Sequence, residues 1–404
     1  MAKVSIVKCP GYGKQEEVDA AVRNALDLIG GIERFVQPGQ RALLKVNALT
    51  PKPPEAAVTT HPAFIKAMVR EVKRAGGIPM IGDSSAGIIA GQAPTAQTFR
   101  ATGIEQAAEE SGARLVNFDI SGVEPVECDG PVKVLHIARP VLEADVVISL
   151  PKLKTHSLTL FTGAVKNMFG CIPGHRKAEY HRMAPVVTEF SEVLVDILAK
   201  TKPALAVMDG ITGMEGNGPS GGSRRDIGLI LAGEDCVALD AVASRIIGID
   251  PFRVLTTSIA HNRRLGVGSP ESIDIVGESL ENVIIRDFCL PSTAFLERMP
   301  RFLLRGVFGM LKARPEIDRH ICKGCRFCVE SCPMTAMKMV GNVPEIDYNK
   351  CISCLCCQEL CPGKAIEMKY ISPVGKVVGG IIDSNKKRQR ARLSDKGEEE
   401  WKQE

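Results

Sequence analysis

Apolar and polar residues alternate along KVSIVKC (3–9), and short apolar runs recur in RALLKVN (41–47), IPMIGDSS (78–85), ARLVNFD (113–119) and ADVVISLP (144–151). These patterns predict strands. Between them, QEEVDAAVRNALDLI (15–29) and HPAFIKAMVREVKRAGG (61–77) space their apolar residues three and four apart, as one face of a helix does. A second block repeats the scheme with ALAVMDG (204–210), RDIGLILAGE (225–234), the helical DCVALDAVASRIIG (235–248) and SIDIVGE (272–278). Short β-branched runs separated by amphipathic helices predict a two-lobed α/β domain with a largely parallel sheet over residues 1–290.

In open α/β sheets, ligands bind beyond the carboxyl ends of the strands. Four stretches follow predicted strands: Asn47 with TPKPPEAAVTTHP (50–62), Asp83 with Ser84 and Ser85, PKLKTH (151–156), and DGITGMEGNGPSGG (209–222). Read as loops, all four are polar or glycine-rich and can face one cleft. The longer segment PKLKTHSLTLFTGAVKNMFGCIPG (151–174) sets Lys152, Lys154, His156, Lys166 and Asn167 among glycines beside an apolar strand. Lysines supply charge, and glycines let backbone N–H groups approach an anion. The candidate ligand-binding residues are therefore these five with Asp83, Asp209 and Asn217, and the candidate ligand is an anionic small molecule. Plainer roles stand beside these. A strand-end aspartate caps a turn, Gly216, Gly218 and Gly221 shape a surface loop, and His61 before Pro62 caps a helix.

Composition narrows the classes. The 404 residues are too many for one core, and 45% apolar with 24% charged residues is ordinary for a globular protein. A net charge of +4 without aromatic-basic interleaving gives no nucleic-acid signature. MAKVSIVKCPGYGK lacks a signal-peptide pattern, and no window reaches the roughly 18 apolar residues of a membrane span. A cytoplasmic location is expected, where metal binding is the better default for 14 cysteines.

Nine of those cysteines fall between Cys322 and Cys361. CKGCRFCVESCP (Cys322, Cys325, Cys328, Cys332, Pro333) and CISCLCCQELCP (Cys351, Cys354, Cys357, Cys361, Pro362) each read C-x2-C-x2-C-x3-C-P. Three closely spaced thiolates wrap one face of a cuboidal cluster, and the fourth reaches the other cluster. Two [4Fe–4S] clusters are expected, one on Cys322, Cys325, Cys328 and Cys361, the other on Cys351, Cys354, Cys357 and Cys332. Structural zinc sites pair C-x2-C units across a longer loop and do not repeat a third cysteine at this spacing. Cys356 lies outside the pattern as a buried neighbour or an alternative ligand. Cys9, Cys128, Cys171, Cys236 and Cys289 read as small apolar residues.

The cysteine segment resembles the two-cluster bacterial-type ferredoxin domain over residues 316–370, a family that carries low-potential electrons between partner proteins. VISLPKLKTHSLTLFTGAVKNMFGCIPG, MDGITGMEGNGPSGG and LILAGEDCVALDAVASRIIGID, with LLKVNAL and IGDSS, are similar to the signature blocks of the domain-of-unknown-function 362 family. That resemblance implies an α/β architecture often fused to such a ferredoxin domain, and no particular reaction. In fold alone the chain resembles the nickel-dependent lactate racemases, whose catalytic motif does not align here, so no nickel chemistry is implied.

Between the two parts, AFLERMPRFLLRGVFGMLKARP (294–315) mixes apolar and basic residues. It predicts an amphipathic linker helix over 291–315 that packs across both domains or touches an anionic membrane surface. Residues 371–404 read as an extension with a disordered, charged end. The functional expectation is electron transfer through two clusters with a redox partner protein, coupled to an α/β part that binds an anionic ligand or that partner. A ferredoxin-fed reductase and an iron–sulfur assembly factor are the alternatives.

Overall fold

A computed structural model describes residues 1–88, 93–291 and 313–370. Its strands are β1 (Ala2–Lys8), β2 (Arg41–Lys45), β3 (Ile78–Asp83), β4 (Arg114–Asn117), β5 (Val123–Glu127), β6 (Val134–Ala138), β7 (Val146–Ser149), β8 (Lys152–His156), β9 (Leu160–Thr162), β10 (Leu205–Glu215), β11 (Ser223–Gly233), β12 (Ile273–Gly277), β13 (Ala313–Ile317), β14 (Met337–Val340), β15 (Val343–Ile346) and β16 (Ile366–Tyr370). Ten of these form one sheet, so the two blocks of the sequence join rather than fold apart. Its order is β12-β1-β11-β10-β7-β2-β3-β4, with β8 paired to β10 and β9 to β8. Pairing is parallel from β10 through β7, β2 and β3 to β4, and antiparallel where β11 lies between β1 and β10.

Both faces of the sheet are covered, as continuous apolar strands require. In β2 the side chains alternate: Ala42 and Leu44 enter one core and Leu43 the other. The first core packs against Val18, Val22 and Leu26 of the helix Gln15–Asp27 and Phe64, Met68 and Val72 of Pro62–Arg74. The second packs against Phe190, Leu194 and Ile197 of Val187–Thr201 and Val237 and Leu239 of Cys236–Ile246. Because β2, β3 and β7 run parallel with their helices crossing over, their carboxyl ends open on one edge of the sheet.

The C-terminal domain is small. It holds the pairs β13–β16 and β14–β15 and two short helices, Phe327–Glu330 and Cys356–Leu360. Among the described residues its central buried apolar cluster is Cys328, Met337 and Ile366, with Ile317, Val329 and Ile346 packed against it. Among the described residues, three hydrogen bonds join the domain to the α/β part. Ile88 N donates to Ser331 Oγ at 2.9 Å, Lys364 Nζ donates to Gly222 O at 3.1 Å, and Ser220 Oγ donates to Glu359 O. Gly222 and Ser220 sit at the tip of the β10–β11 hairpin, whose two strands are 11 residues long each. Most of the expected linker helix, residues 292–312, and all of the extension 371–404 lie outside the described residues. Residues 313–315 open β13 instead of continuing a helix.

Candidate functional site

Each cysteine motif places its fourth cysteine apart from the first three. A cavity of about 390 Å³ is lined by Cys322, Cys325, Cys328 and Cys361, and one of about 380 Å³ by Cys332, Cys351, Cys354 and Cys357 together with Cys356. The two halves repeat their local geometry. Arg326 and Leu355, both left-handed at φ 67° and 65°, precede the two short helices. Ala336 N donates to Cys332 Sγ at 3.3 Å and Ala365 N to Cys361 Sγ at 3.2 Å. Burial and the neighbouring cysteines push the Cys328 thiol up to about 12, and burial raises Cys351 and Cys357. Such sulfurs stay protonated until a cationic group compensates their charge, so the donor set suits an iron–sulfur cluster. The hydrogen bond from Cys356 holds Cys354 below the usual thiol range.

A larger cavity, about 850 Å³ counting its open mouth, lies at the carboxyl ends of β2 and β3, against β8 and β9, under the C-terminal domain. Four lysines line it: Lys45, Lys154, Lys166 and Lys177. Alternation along β2 turns Lys45 inward at the strand end, where its Nζ meets Asp83 at 2.8 Å, with both side chains buried. Asp83 also accepts from Ala48 N at 2.7 Å and Ser84 N at 2.7 Å, while burial pushes its carboxyl up. Gly170 packs so close that a Cβ there would collide with Asp83 Oδ1 and Lys45 Nζ. Lys177 donates to Ser84 O (2.9 Å), Ser84 Oγ (2.6 Å) and Ser85 O (3.2 Å), and burial lowers it to about 8. Lys154 donates to Val58 O at 2.7 Å, and burial with the charge of Lys166 holds it well below the usual lysine range.

Lys166 differs from the other three. It lies 5.6 Å and 5.9 Å from the ring centres of Phe169 and Phe190, and it makes no ion pair or hydrogen bond with any described residue. Burial lowers it too, and Glu359 and Cys356 are the charges that oppose that shift. His156 Nδ1 accepts from Leu158 N at 3.0 Å and Thr159 N at 3.3 Å. Those two bonds assign the ring proton to Nε2. Nε2 stands 3.3 Å from Glu359 Oε1, but the two are not aligned as a hydrogen bond and each is left without a partner. Burial keeps His156 far below the imidazole range, so it faces Glu359 as a neutral imidazole, and burial pushes Glu359 up to about 7. His181 stacks on Phe190 at 4.0 Å, and burial holds it down at about 3.

Of the residues anticipated from sequence, Asp83, Lys154, His156, Lys166 and Asn167 line this cavity. Asn167 Nδ2 donates to Lys45 O at 2.9 Å and Ser149 Oγ at 3.0 Å, which ties the helix Ala164–Asn167 to β2 and β7. Lys152 and Asp209 meet elsewhere, as a buried pair at 2.9 Å closed by Tyr12, whose OH donates to Asp209 Oδ1 at 2.5 Å. Lys152 shares its strand face with Lys154 and His156 but lies about 13 Å along β8 from His156, at 3.3 Å per residue. His61 stacks on Tyr12 and caps the helix Pro62–Arg74, and Asn217 is not among the cavity-lining residues. PKLKTH is not a loop: Lys152–His156 is a buried strand. Residues 209–215 continue β10, leaving a loop only at 216–222.

Lys45, Lys177, His181 and Glu359 were not anticipated. A lysine ending an apolar strand signals Lys45. Glu359 lies inside the cysteine motif but faces the other domain, a placement that only docking creates. Cys356 lines both the larger cavity and the cavity of the second cysteine group.

Residues 42–245 match the family described as Domain of unknown function (DUF362), and residues 314–362 match a 4Fe-4S dicluster domain. The thylakoid-associated protein sll1697 of Synechocystis sp. is 36% identical over 273 residues, 65% of this chain and 79% of that protein. Among solved structures, the lactate racemase apoprotein of Thermoanaerobacterium thermosaccharolyticum is similar over 52% of this chain at 13% identity, with a TM-score of 0.36. The chain spans 50% of the length of that structure.

Proposed function

The chain belongs to the DUF362 family and carries a 4Fe-4S dicluster domain, and from this premise we propose that it passes electrons between a redox partner protein and an anionic small molecule held in the lysine-lined cavity. In this reading Cys322, Cys325, Cys328 and Cys361 hold one [4Fe–4S] cluster, and Cys351, Cys354, Cys357 and Cys332 hold a second. Bound clusters supply one-electron transfer at a potential set by charge, sulfur hydrogen bonds and exposure. The observation that carries the reading is the shared wall: Cys356 borders both the second cysteine cavity and the ligand cavity. Glu359 and Leu360, on the same short helix, face the ligand side.

The chain's own residues divide the work. Exposed Cys325 turns the first cysteine group toward an outside partner. Lys154 and Lys166 make the ligand cavity attractive to an anion, and His156 offers an N–H that two backbone donors keep in one tautomer. Ser331, Cys356, Glu359 and Leu360 come from the C-terminal domain, so the cavity is complete only when that domain is docked.

The test is anaerobic. Protein reconstituted with iron and sulfide is reduced with dithionite, freed of excess reductant, and mixed with a panel of oxidised carboxylates and phosphates while the cluster absorbance is followed. At least one compound should speed reoxidation, and Lys154→Met should slow that step without changing iron content. A panel that leaves reoxidation unchanged, or a rate indifferent to Lys154, would remove the ligand from the reading. A peripheral membrane contact through residues 294–315 belongs to the same proposal, supported by the name of the Synechocystis relative. Failure to co-sediment with anionic vesicles would remove it. Among the described residues no helix is long and apolar enough to cross a membrane.

A further inference from the structure

The four cavity lysines are not equivalent. Lys45 faces Asp83, Lys177 has three oxygen acceptors and Lys154 has one, whereas Lys166 has none among the described residues. A cavity-facing ammonium without an acceptor is poised for an acceptor that the chain does not supply. Other unsatisfied atoms point the same way. His156 Nε2, Thr162 Oγ1 and Asn47 Oδ1 belong to cavity-lining residues, are buried, and lack hydrogen-bond partners, as does Glu359 Oε1, an acceptor at the edge of this group 3.3 Å from Nε2. His156 is 1% and Thr162 4% exposed.

Their placement follows from strand pairing. Lys154 stands opposite Thr162 and His156 opposite Leu160 in the antiparallel β8–β9 ladder. Directly opposed residues share a face, and residues two apart share it as well, so Thr162 and His156 lie on one surface. Lys166, on the helix immediately after β9, is the largest charge acting on His156. Glu359 Oε1 stands 3.3 Å from His156 Nε2 and shares a short helix with Cys356, which sets this group at the end of the cavity nearest the second cysteine cavity. Asn47 leaves β2 at the sheet end and presents an acceptor, Oδ1.

We infer that Lys166, the Nε2–H of His156 and the hydroxyl of Thr162 form an oxyanion pocket. The ligand is a small molecule that places a carboxylate or phosphate group there and turns an O–H or N–H donor to Asn47 Oδ1. The inference rests on the ligand reading above and sharpens it, because it fixes which end of the ligand adjoins the second cysteine group. Lys45 and Lys177 position the cavity wall and do not anchor the ligand.

Calorimetric titration of the anaerobic, iron-loaded protein with inorganic phosphate and with acetate tests the pocket, and the two arms separate phosphate from carboxylate preference. One of them should bind, and Lys166→Met should weaken it by about tenfold or more, since it removes a charge-assisted hydrogen bond to the anion. Lys166→Arg should retain binding within a few-fold. Thr162→Val guards against misfolding: it removes an unsatisfied buried hydroxyl, so it should leave stability equal or higher while weakening the anion several-fold. No binding of either anion, or equal binding by the Lys166→Met and Thr162→Val variants, overturns the pocket.

Redox titration of the same samples, read by electron paramagnetic resonance, separates this inference from the electron-transfer reading. An anion bound beside the second cluster opposes an added electron, so affinity and midpoint potential are linked reciprocally. Tenfold weaker binding to the reduced protein corresponds to a midpoint lowered by about 59 mV. Lys166-dependent binding with an unmoved potential places the anion away from the second cluster, and Lys166-dependent binding beside a panel of oxidised compounds that leaves reoxidation unchanged upholds the pocket and removes electron transfer to the ligand. Ligand-driven reoxidation that ignores Lys166 and Thr162 does the reverse.

Discussion

Asp83→Asn isolates the electrostatics that hold the cavity open. In the native protein the Asp83 carboxylate lies 2.8 Å from the Lys45 ammonium, with both side chains buried. No other carboxylate pairs with Lys45 among the described residues. Asparagine keeps the shape and leaves that ammonium unpaired, and removing one partner of a buried pair costs about 3–5 kcal/mol. The amide also has one oxygen for two backbone donors, Ala48 N and Ser84 N, so one of them loses its acceptor at a further cost of about 1–3 kcal/mol. For a domain of this size each kcal/mol lowers Tm by roughly 2–4 °C, so the α/β transition should fall by roughly 8–30 °C. The assay is thermal unfolding of the iron-loaded protein followed by circular dichroism. A companion variant, Lys45→Met with Asp83→Asn, has no unpaired charge and should recover at least half of the loss. A loss below about 1 kcal/mol, or a double variant no better than the single one, would refute the assignment of the pair as the element that holds this wall.

The other predictions concern protonation, iron and helix capping. Burial depresses Lys154, Lys166 and Lys177 relative to an unfolded lysine near 10.5, with Lys177 at about 8. For Lys177 the penalty of burying the charge is complete below pH 8 and is relieved as pH rises from 8 to 10.5, so its contribution to stability increases across that window. Urea midpoints should show this rise, and Lys177→Met should flatten it, while anion affinity should fall over the same range as positive charge is lost. Removing iron with a chelator should make residues 316–370 protease-sensitive while the α/β part stays resistant, because the central apolar cluster there, Cys328, Met337 and Ile366, is small among the described residues. Intact peptides from that region after chelation would contradict this. Asp240 accepts from Ala164 N at 2.6 Å and Val165 N at 3.1 Å at the start of the helix that carries Lys166. Asp240→Ala should therefore cost about 1–2 kcal/mol and weaken anion binding, whereas a change in stability alone would show that the cap does not position Lys166.

The sheet was legible because its strands are buried on both faces and announce themselves as short apolar runs with polar ends. The grouping of the cysteines around two separate cavities follows the two identical spacings, which leave little freedom. The site was half legible. Lys154, His156 and Lys166 could be read from one segment, since cations beside an apolar strand need a reason. Lys152 shows the limit: it lies on the same strand face, yet Tyr12 and Asp209, 140 and 57 residues away, occupy it. PKLKTH read as a loop because a buried strand carrying three cationic or titratable side chains violates the usual pattern. It is tolerated here because Val58 O, Asp209 and the cavity receive them. Glu359 was hidden by its setting, since a motif read for its cysteines assigns nothing to the residues between them.

The β10–β11 hairpin is a spacer of fixed length. Its tip fastens the C-terminal domain through Ser220 and Gly222, and its base is locked in the sheet beside β1 and β7. Adding two residues to each strand preserves register and the order of inward and outward side chains, yet moves the tip outward by about 7 Å. Adding one to each inverts the faces near the tip instead. Insertion length is thus a dial on the gap between the two domains, and in the proposed electron-transfer reading exchange across that gap should fall with each added pair while folding of either domain is untouched.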